Sequence, residues 1–371
     1  MQITTAACRP VTHERAHPMQ DAQSQPRCNG LFVPVVRAHH LQTLLRQIES
    51  LGLPTDRLVH ESGIHPSACE DANFLLPEKR LWTVLHALRA GDGPAMPARA
   101  GFGPRNRVFE LGLFDRSVFP TLAALLRQFC AGMRRHTNRS DFFLSLDSDG
   151  GTLGRLLPPL RDGAWPVEQY LVSAFVDLVQ MASGDEWWPD DVWLLHRGPL
   201  HREEQEWLGS ARVHLGTDRT AISVPTELLS RPCFVPARYV VRNGRTGPAE
   251  DSPSAGLREA LRLAIRSGDT AIDRVANDAG MSARTFQRRL RDRGTSFQTL
   301  LNETRFELAA DALASSDQPV TTVALELGYE NPAAFSRAFR AWAGRTPSQF
   351  RRERMILARP ASSRGSQSGP G

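Results

Sequence analysis

The chain is 371 residues long, 41% hydrophobic and 23% charged, with a formal net charge of +5, which suits a soluble protein of two or three domains. No run of about 18 apolar residues is present to span a membrane. Five cysteines, odd in number and never spaced Cys-x-x-Cys, argue against a disulfide framework or a zinc site and for a reducing cytoplasm. The charge is unevenly placed. Residues 251–371 hold 18 Arg against 13 Asp plus Glu, whereas the first 250 residues balance at 27 of each sign. An excess confined to one end fits a phosphate-binding module. The plainer reading is drift in an Arg-rich chain whose only lysine is Lys79.

Residues 1–30 are polar, contain several prolines and have no apolar h-region, so they are expected to be disordered and not a signal peptide. An ordered domain is expected to open with the apolar run Leu31 to Val36. A helix follows, with Leu41, Leu44, Leu45 and Ile48 on one face and Gly52 ending it. Pro54–His60 and Glu78–Leu88 read as helices, Gly91–Arg105 as a Gly/Pro-rich loop, and Thr121–Met133 as a further helix. The period then changes. Phe142–Leu146 and Gly154–Leu157 flank Asp147-Ser148-Asp149-Gly150-Gly151, a hairpin signal. Asp147 and Asp149 resemble the opening of a calcium loop, but Pro158 stands where its bidentate Glu should be. Val167–Met181 is apolar on most sides and reads as a buried helix. Val192–Leu195, Ala211–Leu215 and Ala221–Val224 read as strands, with His201–Leu208 helical between the first two.

Within this region His39 and His40 lack partners at metal-ligand spacing. Trp165, Trp187, Trp188 and Trp193 could line a small-molecule pocket or simply pack. No nucleophile elbow, zinc-protease motif, P-loop or dinucleotide-binding glycine motif occurs. Neither catalysis nor a cofactor or metal is expected.

The most ordered pattern lies near the C-terminus, where two helix-turn-helix units repeat. Ile272, Val275, Ala276 and Gly280 recur 48 residues later as Val320, Val323, Ala324 and Gly328. After the turn the shift grows by one, pairing Phe286 with Phe335 and Leu290 with Phe339. Small and β-branched residues let the second helix of each unit cross closely, and each glycine permits a left-handed turn. Ser282 and Asn331 are expected N-caps, with Pro332 at the first helical position. Thr270 with Asp273 reads as a capping box ahead of the first scaffold helix. Phe286 and Leu290 should face inward, leaving Ala283, Arg284, Gln287, Arg288 and Arg291 outward, a set suited to guanine and adenine edges. In the second unit Phe335 and Phe339 should face inward. Ala333, Ala334, Ser336, Arg337 and Arg340 then point outward, with Ser336, Arg337 and Arg340 suited to phosphate and the alanines to a thymine methyl. The apolar positions of Ser296–Ala314 predict a rigid spacer helix that would set the two recognition helices about 34 Å apart, in successive major-groove segments.

This spacing resembles the AraC/XylS family of bacterial transcription regulators. So do the run Gly328-Tyr329-Glu330-Asn331-Pro332-Ala333-Ala334-Phe335-Ser336-Arg337-Ala338-Phe339-Arg340 and the ending Gly344-Arg345-Thr346-Pro347-Ser348-Gln349-Phe350-Arg351. By that resemblance base reading falls on Ser282, Arg284, Gln287 and Arg288, and on Pro332, Ala333, Ala334 and Arg337. His214-Leu215-Gly216-Thr217-Asp218-Arg219-Thr220-Ala221 resembles, less specifically, the arabinose-binding-like domain of the ornithine-regulator type. The implied fold class is an α+β N-terminal regulatory domain followed by an all-α C-terminal domain with two helix-turn-helix units joined by a linker helix. The expected division is a disordered 1–30, a regulatory domain over 31–235, a linker over 236–256, the DNA-binding domain over 257–357 and a tail over 358–371.

The expected function is a cytoplasmic, sequence-specific, ligand-responsive regulator, an activator, with promoter double-stranded DNA as partner. RNA polymerase is implied by the family; a small-molecule effector is unidentified, and a homodimer is left open. One rival keeps the DNA-binding half but makes the N-terminal domain a dimerisation or protein-contact module without a ligand. A second is an enzyme fused to the same unit, as in alkylation-response methyltransferases, against which the scattered cysteines argue.

Overall fold

The computed structural model describes residues 32–65, 67–101, 111, 113–139, 141–157, 163–184, 186–237, 240 and 253–358. The expected disordered start, most of the expected linker and the expected tail beyond Ala358, which ends a helix, lie outside the described residues. From the N-terminus, β1 (Val35–Arg37) leads into α1 (Ala38–Ser50), α2 (Asp56–Glu61) and α3 (Ser67–Glu70). Next come β2 (Leu75–Pro77), α4 (Glu78–Asp92), α5 (Met96–Gly101), β3 (Val118–Phe119) and α6 (Leu122–Met133). A hairpin of β4 (Phe142–Leu146) and β5 (Gly150–Arg155) precedes α7 (Trp165–Ser183). The half closes with β6 (Asp191–Leu194), α8 (Arg202–Leu208), β7 (Arg212–Leu215), β8 (Thr220–Pro225), α9 (Thr226–Leu229) and β9 (Cys233–Phe234).

Five strands form one sheet in the order β4-β5-β8-β6-β7, antiparallel except for β6 beside β7. The parallel pair needs a crossover, and α8 supplies it. The hairpin forms as expected from its turn residues, Asp147 Oδ1 accepting from the amides of Asp149 (3.0 Å) and Gly150 (2.9 Å). Helix α7 is buried on nearly every side and packs against β8, α4 and α5, the central position its apolar sequence predicts. It also buries Glu168, whose carboxylate accepts from Thr220 Oγ1 (2.8 Å) and the amides of Leu195 (2.6 Å) and His196 (3.0 Å). Burial pushes that carboxyl up to about 7 against the pull of these bonds.

Two expectations fail here, and one open choice is decided. Within the stretch read as a Gly/Pro-rich loop, Met96–Gly101 is helix α5. Pro97 stands in its first turn, where no amide donor is needed, and Gly101 lies so close to the Tyr170 carbonyl that a Cβ would collide with it. The tryptophans mostly pack. Trp165 stacks on His196 and donates to Glu204 (2.6 Å), and Trp188 meets Trp207 edge-on. Trp193 borders a cavity of about 290 Å³, beside Asp147, Asp149, Asp190 and Asp191. The last residues of the expected linker, Pro253 to Gly256, are the first turn of a helix, as a proline at that position allows.

That helix, α10 (Pro253–Arg266), opens an all-helical half with α11 (Ile272–Asp278), α12 (Ala283–Arg291), α13 (Phe297–Ser315), α14 (Val320–Glu326), α15 (Pro332–Ala343) and α16 (Pro347–Ala358). Leu261, Ile265, Val275, Phe286, Leu301, Leu313, Val323, Phe335 and Phe339 share one core. Val33 and Val35, ahead of and within β1, enter that core, while Val36 faces the core of the first half. Alternation along one short strand thus joins the two halves. No described helix is long and apolar enough to cross a membrane.

Candidate nucleic-acid interface

The two helix-turn-helix units close their turns with the same bonds. In the first, the amides of Gly280 and Met281 donate to Asn277 O (2.9 Å) and Ala276 O (3.0 Å). In the second, those of Gly328 and Tyr329 donate to Leu325 O and Ala324 O, both at 3.0 Å. The partners differ by 48 residues throughout. Gly280 and Gly328 adopt φ of +69° and +76°, a conformation that costs any residue with a Cβ. The one-residue slip falls between this turn and the next cap. Ser282 caps α12 by accepting from the Thr285 amide (3.3 Å), and Asn331 caps α15 by accepting from Ala334 (2.8 Å). The capping box read in Thr270 and Asp273 does not form. Ala271 is the N-cap without a side-chain bond, and Asp269 faces Arg274 at 2.6 Å.

Inside each unit the expected side chains point inward. Phe286, Phe335 and Phe339 are fully buried and Leu290 nearly so. Phe335 and Phe339 lie 5.7 Å apart, and Phe339 meets Phe306 of α13 at 5.5 Å. Helix α13 therefore belongs to the core of the second unit as well as spacing the two.

Outside, Arg284, Gln287, Arg288 and Arg291 are all exposed along α12, with Ser282 and Ala283 half-buried at its start. Along α15, Ala333, Arg337 and Arg340 are exposed, and Pro332, Ala334 and Ser336 half-buried. Gln287 and Arg291 also border a groove of about 520 Å³, with Ile272, Leu290, Ser296, Phe297 and Gln298. Sequence reasoning did not single out that groove, because it forms only where the end of α12 meets the start of α13. At the root of the second unit Arg305 lies over the Tyr329 ring at 5.3 Å, and burial pushes the Tyr329 hydroxyl up. Two guanidinium-bearing faces, each on a capped helix behind an apolar contact, can present donors to phosphates and base edges.

An α+β domain followed by this tandem defines a class of helix-turn-helix regulators. Residues 52–233 match the family model described as the arabinose-binding domain of AraC transcription regulators, N-terminal, and residues 275–353 match a helix-turn-helix domain model. With both matches in this order, the chain belongs to the AraC family of transcriptional regulators. Among similar proteins, the ornithine utilization regulator of Pseudomonas aeruginosa is 32% identical over 137 residues, covering 35% of this chain and 40% of that protein. The regulator VqsM of the same organism is 33% identical over 147 residues, covering 37% and 45%. The matches thus span less than half the length of these curated relatives. The crystal structure of the regulator CdpR from Pseudomonas aeruginosa aligns over 85% of this chain and 98% of its own, at 20% identity and a TM-score of 0.38. At that level the likeness carries no argument.

Proposed function

We propose that this protein is a sequence-specific, ligand-responsive transcription regulator, an activator, that binds promoter DNA through α12 and α15. The observation that carries this is the exact repetition of the turn bonds beneath two exposed, Arg-bearing helices. Arg284, Gln287, Arg288 and Arg291, with Ser282 at the cap, are the direct readers. Bidentate Arg to guanine and Gln to adenine supply the discrimination. Pro332, Ala333 and Ala334 contact base edges more weakly, while Ser336, Arg337 and Arg340 hold phosphates. The N-terminal half senses a small molecule, in keeping with its match to the arabinose-binding domain model. RNA polymerase is the further partner, the protein acts in the cytoplasm, and it has no catalytic role of its own.

Selection of bound duplexes from a random pool with the full-length protein tests this. Two enriched blocks about one helical turn apart are expected. A pool that stays random with and without candidate effectors contradicts the proposal.

A further inference from the structure

The start of α4 carries three consecutive charged residues that face in two directions. Glu78 is buried and accepts from Arg155 of β5, inside the regulatory half. Lys79 and Arg80 reach the other way, to the end of α11. Lys79 Nζ donates to Asn277 Oδ1 at 2.5 Å. Arg80 approaches both carboxylate oxygens of Asp278, at 2.9 and 3.0 Å, and donates to the Ser62 carbonyl at 3.3 Å. One turn earlier on α11, Arg274 donates to the Gly63 carbonyl at 2.7 Å.

Residues 62–63 and 79–80 of the regulatory half therefore hold the C-terminal end of the first scaffold helix. Arg80 is 9% exposed and Asp278 4%. A buried carboxylate at a helix C-terminus meets both desolvation and the negative end of the helix dipole, so it is tolerable only beside a cation. Burial pushes the Asp278 carboxyl up and Arg80 opposes this.

The helix-turn-helix frame does not need this arrangement. By the 48-residue shift, Asn277 and Asp278 correspond to Leu325 and Glu326, and Arg274 to Thr322. Leu325 is 63% exposed and Glu326 is exposed too. The second unit builds the same turn with that face uncovered. It packs instead through α13, α15 and α16.

We infer that the Arg80–Asp278 pair, flanked by Lys79–Asn277 and Arg274–Gly63, is a polar docking surface, beside the apolar contact of β1 and β2 with α10, by which the regulatory domain holds the first helix-turn-helix unit. The state of the regulatory domain thereby sets the placement of α12, and α15 follows through α13, which packs in both units. The reading helix stays exposed, so the contact works by orienting it and not by covering it. This rests on α12 being a DNA-reading helix, as proposed above.

Full-length protein tests it, as wild type, Arg80→Gln, Asp278→Asn, the exchange Arg80→Asp/Asp278→Arg, and Glu326→Gln as the equivalent change in the second unit. Amide exchange and affinity for a duplex selected by wild type are both read. Each single change at the pair should speed exchange in α11 about tenfold or more and leave α14 unaltered. Each should also change the Kd about threefold or more through the first block of the site. The exchange variant should recover most of both effects, and Glu326→Gln should alter neither. Unchanged α11 exchange, or equal acceleration in α14, overturns the docking surface. Faster exchange at an unaltered Kd overturns its role in DNA binding. Should the single variants fail to fold, a folded exchange variant with wild-type values sustains the inference, and one without α11 protection overturns it. Failure of wild type to select any duplex would count against the DNA-binding reading instead, since the exchange measurement needs no DNA.

Discussion

The two helix-turn-helix units share an interior and differ in both of their faces. Their turns close with the same two bonds, both glycines are left-handed, and both second helices are capped by a side-chain oxygen. Yet α12 presents Arg284, Gln287, Arg288 and Arg291, whereas α15 begins with Pro332, Ala333 and Ala334. The scaffold helix of the first unit is held by Lys79 and Arg80, and the matching face of the second is open at Leu325. The frame sets where a helix can lie, while its outward residues set what it reads and what docks behind it.

The largest expected effect is common to both units. Phe286→Ala and Phe335→Ala should each cost about 3–5 kcal/mol in thermal or denaturant unfolding, as truncations of fully buried rings. A large loss in one and none in the other would break the equivalence of the interiors. Next, the regulatory half should differ from the DNA-binding half in its pH dependence. Burial pushes the Asp177 carboxyl up to about 7. Ionisation therefore opposes folding increasingly from about pH 4, and fully above 7. Asp177→Asn should exceed wild type by about 2–4 kcal/mol at pH 8, with the gain shrinking through pH 7 and gone near pH 4. A pH-independent difference would contradict the burial of a charge there.

Surface substitutions should separate the units. Arg284→Ala and Gln287→Ala should each cost about 1–3 kcal/mol at the bases they read and relax specificity there. Arg337→Ala and Arg340→Ala should weaken all duplexes alike and lower the salt slope by about 1 each. Binding titrations at several salt concentrations distinguish the two patterns, and uniform loss from Arg284→Ala would make it a phosphate contact. The smallest effect is again shared: Ser282→Ala and Asn331→Ala should each cost about 1 kcal/mol of stability as lost caps.

What the sequence made legible follows from how local each signal is. The tandem units rest on contacts three to five residues apart, so Gly280, Ser282, Gly328 and Asn331 announce their turns and caps directly. The hairpin at Asp147 and the all-round apolar α7 are local in the same sense. Helix α5 was hidden because Pro97 and Gly101 read as breakers, although one sits in a first turn and the other is required by contact with Tyr170. The start of α10 was hidden likewise, behind Pro253 and by Gly256, whose missing Cβ leaves room for the Val33 carbonyl. Asp273 failed as a capping partner because the N-cap falls on Ala271, one residue past Thr270, which leaves Asp273 at the second helical position. The Arg80–Asp278 pair joins residues 198 apart, and no local pattern marks either partner. Side chains that build a frame are readable from spacing, and those that join two frames are not.

The most direct test is the affinity of the full-length protein for every single-base change across its selected duplex. Changes under α12 should cost about 1–3 kcal/mol each, and those under α15 distinctly less. Equal discrimination in both blocks, or stronger discrimination under α15, would contradict the division of labour between the two units.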